Sequence, residues 1–451
     1  MFSKIVSVCC KKDLKTWKIS SRNIVRFIES SEYFVIVPDL EVDDFKQASP
    51  EIYQVLPESN VIGTYDLNYF KSIIPEVFSA RAGWYLQQFI KIEFLRKLNN
   101  ENCLIWDADT VPLKKINFID LNGNFLFFKG IDKPKFHQPY FDLIKELLGM
   151  DRLHEESFIS QCFPVNSIWV QEFCAEIQER NNTNFWIDAV MSKINHSKGI
   201  SGFSEYESLG VFISNKYNHK FSFKYQGYFT RNGTALIGSP ENLDKFEWFD
   251  LRYHYDFVGF EEYEKIKIKG INLGCGNDRK IETFKGNRFL NVDLENYEAV
   301  DMIMDVEKKW PFPDLYFEHI AANNIIEHVN NVLSIFTEIN RCLEVGGIID
   351  IEVPFIGSYN HGTDITHKRG LTFASFNFLF SDSRNYLFRE KELYRYNYRL
   401  VHFFRENIQA DKLIREYFNE IPPRGTYIEW IDKVSRHEIP GTFGFTFQKL
   451  S

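Results

Sequence analysis

The sequence predicts an α/β protein built twice over, with two parallel sheets each covered by helices. Three observations carry this expectation. Short apolar runs of strand length alternate with amphipathic segments of helix length through both halves. In each half one such run ends in a polar turn, Asp107-Ala108-Asp109 in the first and Gly274-Cys275-Gly276 in the second. A charged stretch, Glu261-Glu262-Tyr263-Glu264-Lys265, separates the two cycles. In the first half Ile5–Cys9 reads as a buried strand, Ser21–Glu29 as an amphipathic helix, and Tyr33–Val37 as a second strand closed by Pro38-Asp39. Gly83–Leu98 reads as a helix because Leu86, Phe89, Ile90, Phe94 and Leu95 recur at roughly helical spacing, and Cys103–Trp106 follows as a short strand. The second cycle begins at Ile271–Leu273 and continues with strands near Phe289–Val292, Ile320–Ala322 and Gly347–Val353. The boundary falls near residue 260, giving domains 1–258 and 262–451.

Composition agrees with a folded, multidomain chain. It has 451 residues, 44% of them hydrophobic and 25% charged, with 44 Phe, 22 Tyr and 8 Trp available for cores. A net charge of −9 argues against a nucleic-acid binder that relies on bulk positive charge. The seven cysteines are odd in number and form no Cys-x-x-Cys, which disfavours a disulfide framework or a zinc site. No apolar run is long enough to span a bilayer, and the apolar N-terminal stretch is too short for a signal segment. The expected location is the cytoplasm.

Asp107 and Asp109, one residue apart at the end of a buried strand, have the spacing to converge on one divalent cation. Mg²⁺ and Mn²⁺ take oxygen ligands and leave positions for phosphate oxygens. The crevice beyond the carboxyl ends of parallel strands is also where such sheets bind ligands. Arg81-Ala-Gly83-Trp84-Tyr85-Leu86-Gln87-Gln88-Phe-Ile-Lys91, with Leu104-Ile-Trp-Asp-Ala-Asp-Thr-Val-Pro112, Lys12-Asp13-Leu14 and Ser204-Glu205-Tyr206-Glu207, resembles bacterial glycosyltransferases of the GT-A fold over roughly residues 1–255. The resemblance implies that Asp109 is the direct metal ligand, that Asp107 lies near the ribose and the metal, and that Asp13, Arg81 and Lys91 contact nucleotide or phosphate. An inverting transfer also needs a carboxylate to take the acceptor's proton. Glu205 or Glu207 is the candidate, the alternative being a solvated acidic loop. His154, His219 and His254 are further candidates for the metal shell, each equally readable as an ordinary histidine.

In the second half, Ile271-Asn-Leu-Gly274-Cys-Gly276 is a buried strand entering a glycine turn, where a backbone without side chains lets a ligand approach closely. Asp293 ends the next strand nineteen residues beyond Gly274, a spacing that suits a carboxylate gripping ribose hydroxyls. Arg279 stands where a dinucleotide fingerprint has its third glycine, which counts against NAD. Asn272-Leu-Gly-Cys-Gly276, Asn291-Val-Asp293, Met304-Asp305-Val, Trp310-Pro-Phe-Pro-Asp314, Ile326-Glu327-His328-Val329 and Leu343-Glu-Val-Gly346-Gly347 resemble class I S-adenosylmethionine-dependent methyltransferases over about residues 266–355. By that resemblance Gly274 and Gly276 line the methionine part, Asp293 binds ribose, Asp305 lies by the adenine, and Asn323 or Asn324 and His328 lie near the cofactor. The polar loop Asn360–Arg369 follows the strand ending in Pro354. Its His367, oriented by Asp364, is the expected base for the methyl acceptor. The spacing of His361, Asp364 and His367 also admits a metal, although acceptor binding and base chemistry are preferred. The aromatic and Arg-rich residues after about 380 are expected to finish the sheet and cover the acceptor.

Together these features lead us to expect a bifunctional enzyme of surface polysaccharide synthesis. It would use a nucleotide-sugar donor with Mn²⁺ or Mg²⁺, and S-adenosylmethionine for O-methylation of a glycan or glycolipid acceptor. Peripheral contact with membrane-bound glycan machinery is compatible with that role. The rival expectations are a methyltransferase whose first domain only binds carbohydrate, and a non-enzymatic scaffold of a glycan-assembly complex.

Overall fold

The computed structural model describes residues 2–130, 137–195, 202–224, 228–261, 266–356, 358–372, 375–376, 379, 396, 398–405 and 442–450. Most of the charged boundary stretch, the start of the Gly199–Phe203 segment and most of the aromatic tail after residue 380 lie outside the described residues. Two compact units emerge, Met1–Glu241 with Tyr255–Glu262, and Asn242–His254 with Tyr263–Ser451. The segment Asn242–His254 therefore belongs with the second unit although it precedes the boundary in sequence.

The first unit has strands β1 (Phe2–Val8), β2 (Ser30–Val37), β3 (Tyr53–Pro57), β4 (Asn102–Trp106), β5 (Thr110–Pro112), β6 (Phe125–Phe128), β7 (Cys162–Asn166), β8 (Phe221–Lys224), β9 (Phe229–Thr230) and β10 (Phe257–Gly259). Its main sheet runs β3-β2-β1-β4-β7. The first four strands are parallel and β7 is antiparallel to β4. The sheet is thus mixed rather than purely parallel, because β7 closes an edge with no crossover to dictate its direction. Ile5, Val6, Val35, Ile36, Val37, Leu104 and Ile105 are fully buried, the run of apolar residues that a strand covered on both faces requires.

Three helices position the polar groups of this unit. Helix α1 (Leu14–Phe27) follows β1 and buries Trp17 and Ile24; it starts earlier than the predicted Ser21. Helix α2 (Ala82–Arg96) is buried over most of its surface, with Phe89 stacked on Phe203 at 5.1 Å. Helix α3 (Glu205–Lys216) begins at Ser204, whose hydroxyl accepts from the Glu207 amide at 3.3 Å. The short polar stretch holding the two candidate bases is therefore the buried first turn of a helix, not the solvated loop of the alternative reading. Ser204-x-x-Glu207 before an apolar run is the pattern of a capped start.

The second unit has strands β11 (Ile268–Leu273), β12 (Arg288–Asp293), β13 (Met302–Ile303), β14 (Phe317–Asn323), β15 (Leu343–Pro354), β16 (Tyr398–Arg405) and β17 (Thr442–Lys449). They form one sheet in the order β13-β12-β11-β14-β15-β17-β16. The strands from β11 to β15 pair in parallel, whereas β17 is antiparallel to β15 and to β16. Helix α4 (Val332–Cys342) packs Ile335, Phe336 and Ile339 inward. Arg341 on α4 donates to the Trp310 and Phe312 carbonyls at 3.0 and 2.7 Å and to Asp314 at 2.8 Å. The Trp-Pro-Phe-Pro-Asp segment is thereby clamped to α4, with Trp310 fully buried.

Candidate functional sites

Asp107 and Asp109 lie in a tight turn between β4 and β5, closed by the Thr110 amide donating to the Asp107 carbonyl at 3.1 Å. The turn sits at the carboxyl end of a central strand, where a parallel sheet opens a crevice. Lys91, on the buried face of α2, donates to Asp107 Oδ1 at 2.6 Å and to Glu205 Oε1 at 2.7 Å. Tyr206 OH donates to the same Asp107 oxygen at 2.7 Å. Burial opposes the charge on Lys91, but the two carboxylates outweigh it and hold its pKa above the ordinary lysine value. The ammonium is committed to these two carboxylates, which fixes the rotamer of Asp107.

Asp109 is held differently. Burial, and then the carboxylates of Asp107, Glu261 and Asp13, push its pKa up to about 7. Asp13 is the residue before α1, and Arg81 precedes α2 with its guanidinium 5.5 Å from the centre of the Trp84 ring. Both glutamates expected to serve as bases are buried, Glu205 at 5% exposure and Glu207 at 1%. Burial raises the Glu205 pKa against the pull of Lys91. Glu207 Oε1 receives Ser157 Oγ at 2.5 Å and faces His137 Nδ1 at 3.1 Å, while its Oε2 has no hydrogen-bond partner among the described residues. His154 packs against Phe221 and Phe223. Among the described residues, Asp107 and Asp109 gather no third His, Cys, Asp or Glu at metal-sharing distance.

In the second unit the turn after β11 is a cradle of bare backbone. Gly274 and Gly276 have φ of +59° and +51°, the left-handed region that favours glycine. A Cβ at Gly274 would lie 2.6 Å from Ile325 Cδ1, whereas one at Gly276 would meet nothing within 4 Å, so that edge of the turn faces open space. Asp293, at the end of β12, accepts the Gly276 amide on Oδ2 at 2.8 Å and the Glu295 amide on Oδ1 at 3.1 Å. Each carboxylate oxygen keeps a lone pair for a hydroxyl. The Met304 amide donates to the Asp293 carbonyl at 2.8 Å, which sets Asp305 just beyond β13. A backbone cradle with a carboxylate at its rim fits a nucleoside with free ribose hydroxyls.

Asn291 was missed from sequence. It is fully buried, accepts from Asn272 Nδ2 at 3.0 Å and from the Lys280 amide at 2.9 Å, and donates to Asp301 Oδ2 at 3.0 Å. It staples both ends of the glycine loop to β12. Arg279, in place of the third glycine, donates to Asp301 Oδ1 at 2.6 Å.

Beyond β14, Asn323 ends the strand and Asn324 adopts a φ of +51°. Glu327 and His328 follow, and His328 joins the polar loop, its ring centroid 4.7 Å from that of His367. The orientation expected from Asp364 differs in the structure. Asp364 Oδ2 is 3.9 Å from His367 Nε2, too far for a hydrogen bond, and its Oδ1 is taken by the amide and hydroxyl of Thr366. The ring is held instead by the His361 carbonyl, 2.9 Å from Nδ1. Burial pushes the Glu327 pKa up to about 7, and burial followed by the neighbouring His367 lowers that of His328.

Residues 3–240, more than half of the chain, match a family described as "Family of unknown function (DUF6492)", and the chain belongs to that family. Residues 271–351 match a family described as "Methyltransferase domain". The second unit accordingly contains a stretch similar to a methyltransferase domain, within an α/β sheet of class I methyltransferase-like type. No curated protein matches the chain. Similar solved structures include a SAM-dependent methyltransferase from Archaeoglobus fulgidus, at 17% identity and a TM-score of 0.27, covering 40% of this chain and 86% of that one. Another is an S-adenosylmethionine-dependent methyltransferase from Mesorhizobium loti, at 14% identity and a TM-score of 0.25, covering 41% and 92%. No described helix is long and apolar enough to cross a membrane.

Proposed function

We propose that the chain couples S-adenosylmethionine-dependent O-methylation of a glycan hydroxyl to metal-dependent sugar transfer from a nucleotide donor, in the cytoplasm. The observation that carries the methyl half is the Gly276 amide bound to Asp293 beside an open glycine turn. When bound, S-adenosylmethionine supplies an electrophilic methyl group. Asp293 binds its ribose, Gly274 and Gly276 admit its methionine part, and Asp305 and Asn323 border the pocket. The polar loop containing His361, Asp364 and His367 faces the acceptor.

The sugar-transfer half rests on the Asp107–Asp109 turn at the end of β4, and the parallel order β3-β2-β1-β4 with an antiparallel edge supports it. In this reading Asp109 binds Mn²⁺ or Mg²⁺, Asp107 lies between ribose and metal, and Asp13 and Arg81 contact the nucleotide. Lys91 keeps Asp107 in place. Glu207, with Oε2 unpartnered among the described residues, is preferred over Glu205 as the group that takes the acceptor's proton.

Calorimetric titration tests the methyl-donor site. Asp293→Ala removes a charge-assisted acceptor and leaves the Gly276 amide unpaired, so S-adenosylmethionine affinity is expected to fall by about 1.5–3 kcal/mol, or roughly 10- to 150-fold. Equal affinity of variant and wild type would show that the acid is misassigned. Tight NAD binding would overturn the methyl-donor reading.

A further inference from the structure

Three side chains with metal-ligand chemistry converge beside the polar loop. Glu327 is 1% exposed, and neither of its carboxylate oxygens has a hydrogen-bond partner among the described residues. An uncompensated buried carboxylate is costly and calls for a counter-charge. His367 Nδ1 lies 2.9 Å from the His361 carbonyl, which only accepts, so Nδ1 is the donor and Nε2 is the ring atom turned to Glu327. That Nε2 is 3.9 Å from Glu327 Oε1. Thr366 Oγ1 spends its one hydrogen on Asp364 Oδ1 at 2.6 Å, so its contact with His328 Nδ1 at 2.9 Å is one in which the imidazole donates. Ligand atoms of Glu327, His328 and His367 all lie within 4.8 Å of one another.

We infer that Glu327, His328 and His367 form a binding site for a divalent first-row transition cation. Two imidazoles and one carboxylate favour Zn²⁺, Fe²⁺ or Mn²⁺ over Mg²⁺ or Ca²⁺, which prefer all-oxygen shells. Ligands at about 2.0–2.2 Å from one ion stand about 3.4 Å apart, so modest side-chain rotation closes the site. Each histidine already has the outer hydrogen bond that orients a metal ligand, to a backbone carbonyl for His367 and to Thr366 for His328. Three protein ligands leave a coordination position open. The location is independent of the proposed function, but the role rests on it. The open position receives the acceptor hydroxyl and lowers its pKa. The hydroxyl proton passes to solvent, the oxygen forms the new bond to the methyl carbon, and the S–CH₃ bond breaks with its electron pair left on sulfur. His367 is then a ligand rather than the free base.

The test is calorimetric titration of Zn²⁺ into the chelator-treated, dialysed full chain, with folding checked by circular dichroism. Wild type is expected to show an equivalent that is lost in His367→Ala and in Glu327→Gln but kept in Asp109→Asn, which separates it from any ion held at the Asp107–Asp109 turn. Thr366→Val, which keeps all three ligands, is expected to bind roughly 10- to 100-fold more weakly. No saturable binding by wild type, or unchanged binding in both ligand variants, would overturn the site. Zinc binding without S-adenosylmethionine binding would sink the methyltransferase reading and leave the site standing; the reverse result would sink only the site. Methylation that survives excess chelator would return His367 to the role of base and refute the metal's role.

Discussion

Lys91→Met is expected to lower the stability of the first unit by about 3–5 kcal/mol, because it leaves the buried Glu205 and the partly buried Asp107 carboxylates without their counter-charge. Lys91 bridges Asp107 and Glu205 through one ammonium group whose side chain is 4% exposed. For a unit of this size such a loss lowers Tm by roughly 6–20 °C. The double variant Lys91→Met/Glu205→Gln is expected to recover part of the loss, since one orphaned charge disappears with its partner. Thermal unfolding of wild type, the single variant and the double variant checks both statements. A single variant melting at the wild-type temperature would mean that the pair contributes nothing to the fold.

Asp109→Asn is expected to reduce sugar transfer to background while leaving S-adenosylmethionine binding intact. Removing one charged ligand from a two-carboxylate site weakens the metal, and the leaving diphosphate loses its charge stabilisation. The same change relieves repulsion, because Asp109 is crowded by Asp107, Glu261 and Asp13. The variant should therefore melt no lower than wild type, which separates a chemical defect from a folding defect. Full transfer by Asp109→Asn, or by wild type in excess chelator, would remove the metal-dependent model.

Both donor-side turns were legible because they follow short, mostly apolar and largely buried strands. The strand ending at Trp106 and the one ending at Leu273 each run straight into a polar or glycine turn, so local pattern alone located them. What the sequence hid depends on distant partners. Lys91 looks like a phosphate contact when read alone, yet it lies among Phe89, Ile90 and Ile92, where a charge needs a buried counter-charge. Glu205 and Glu207 stand in a short polar stretch whose burial comes from tertiary packing of the helix that Ser204 caps, which no local period encodes. Glu327 passed as part of a motif, since only the folded chain brings it beside a histidine forty residues later. The antiparallel strands β7 and β17 likewise depend on long-range pairing that no local period encodes.

The central claim is that one chain holds a sugar-donor site as well as a methyl-donor site. The most direct test is to incubate the full chain with Mn²⁺ and a panel of nucleotide sugars and to measure released nucleotide. The account predicts release from at least one donor by wild type, abolished by chelator and by Asp109→Asn but not by Asp293→Ala. No release from any donor, or release that persists in Asp109→Asn, would contradict it.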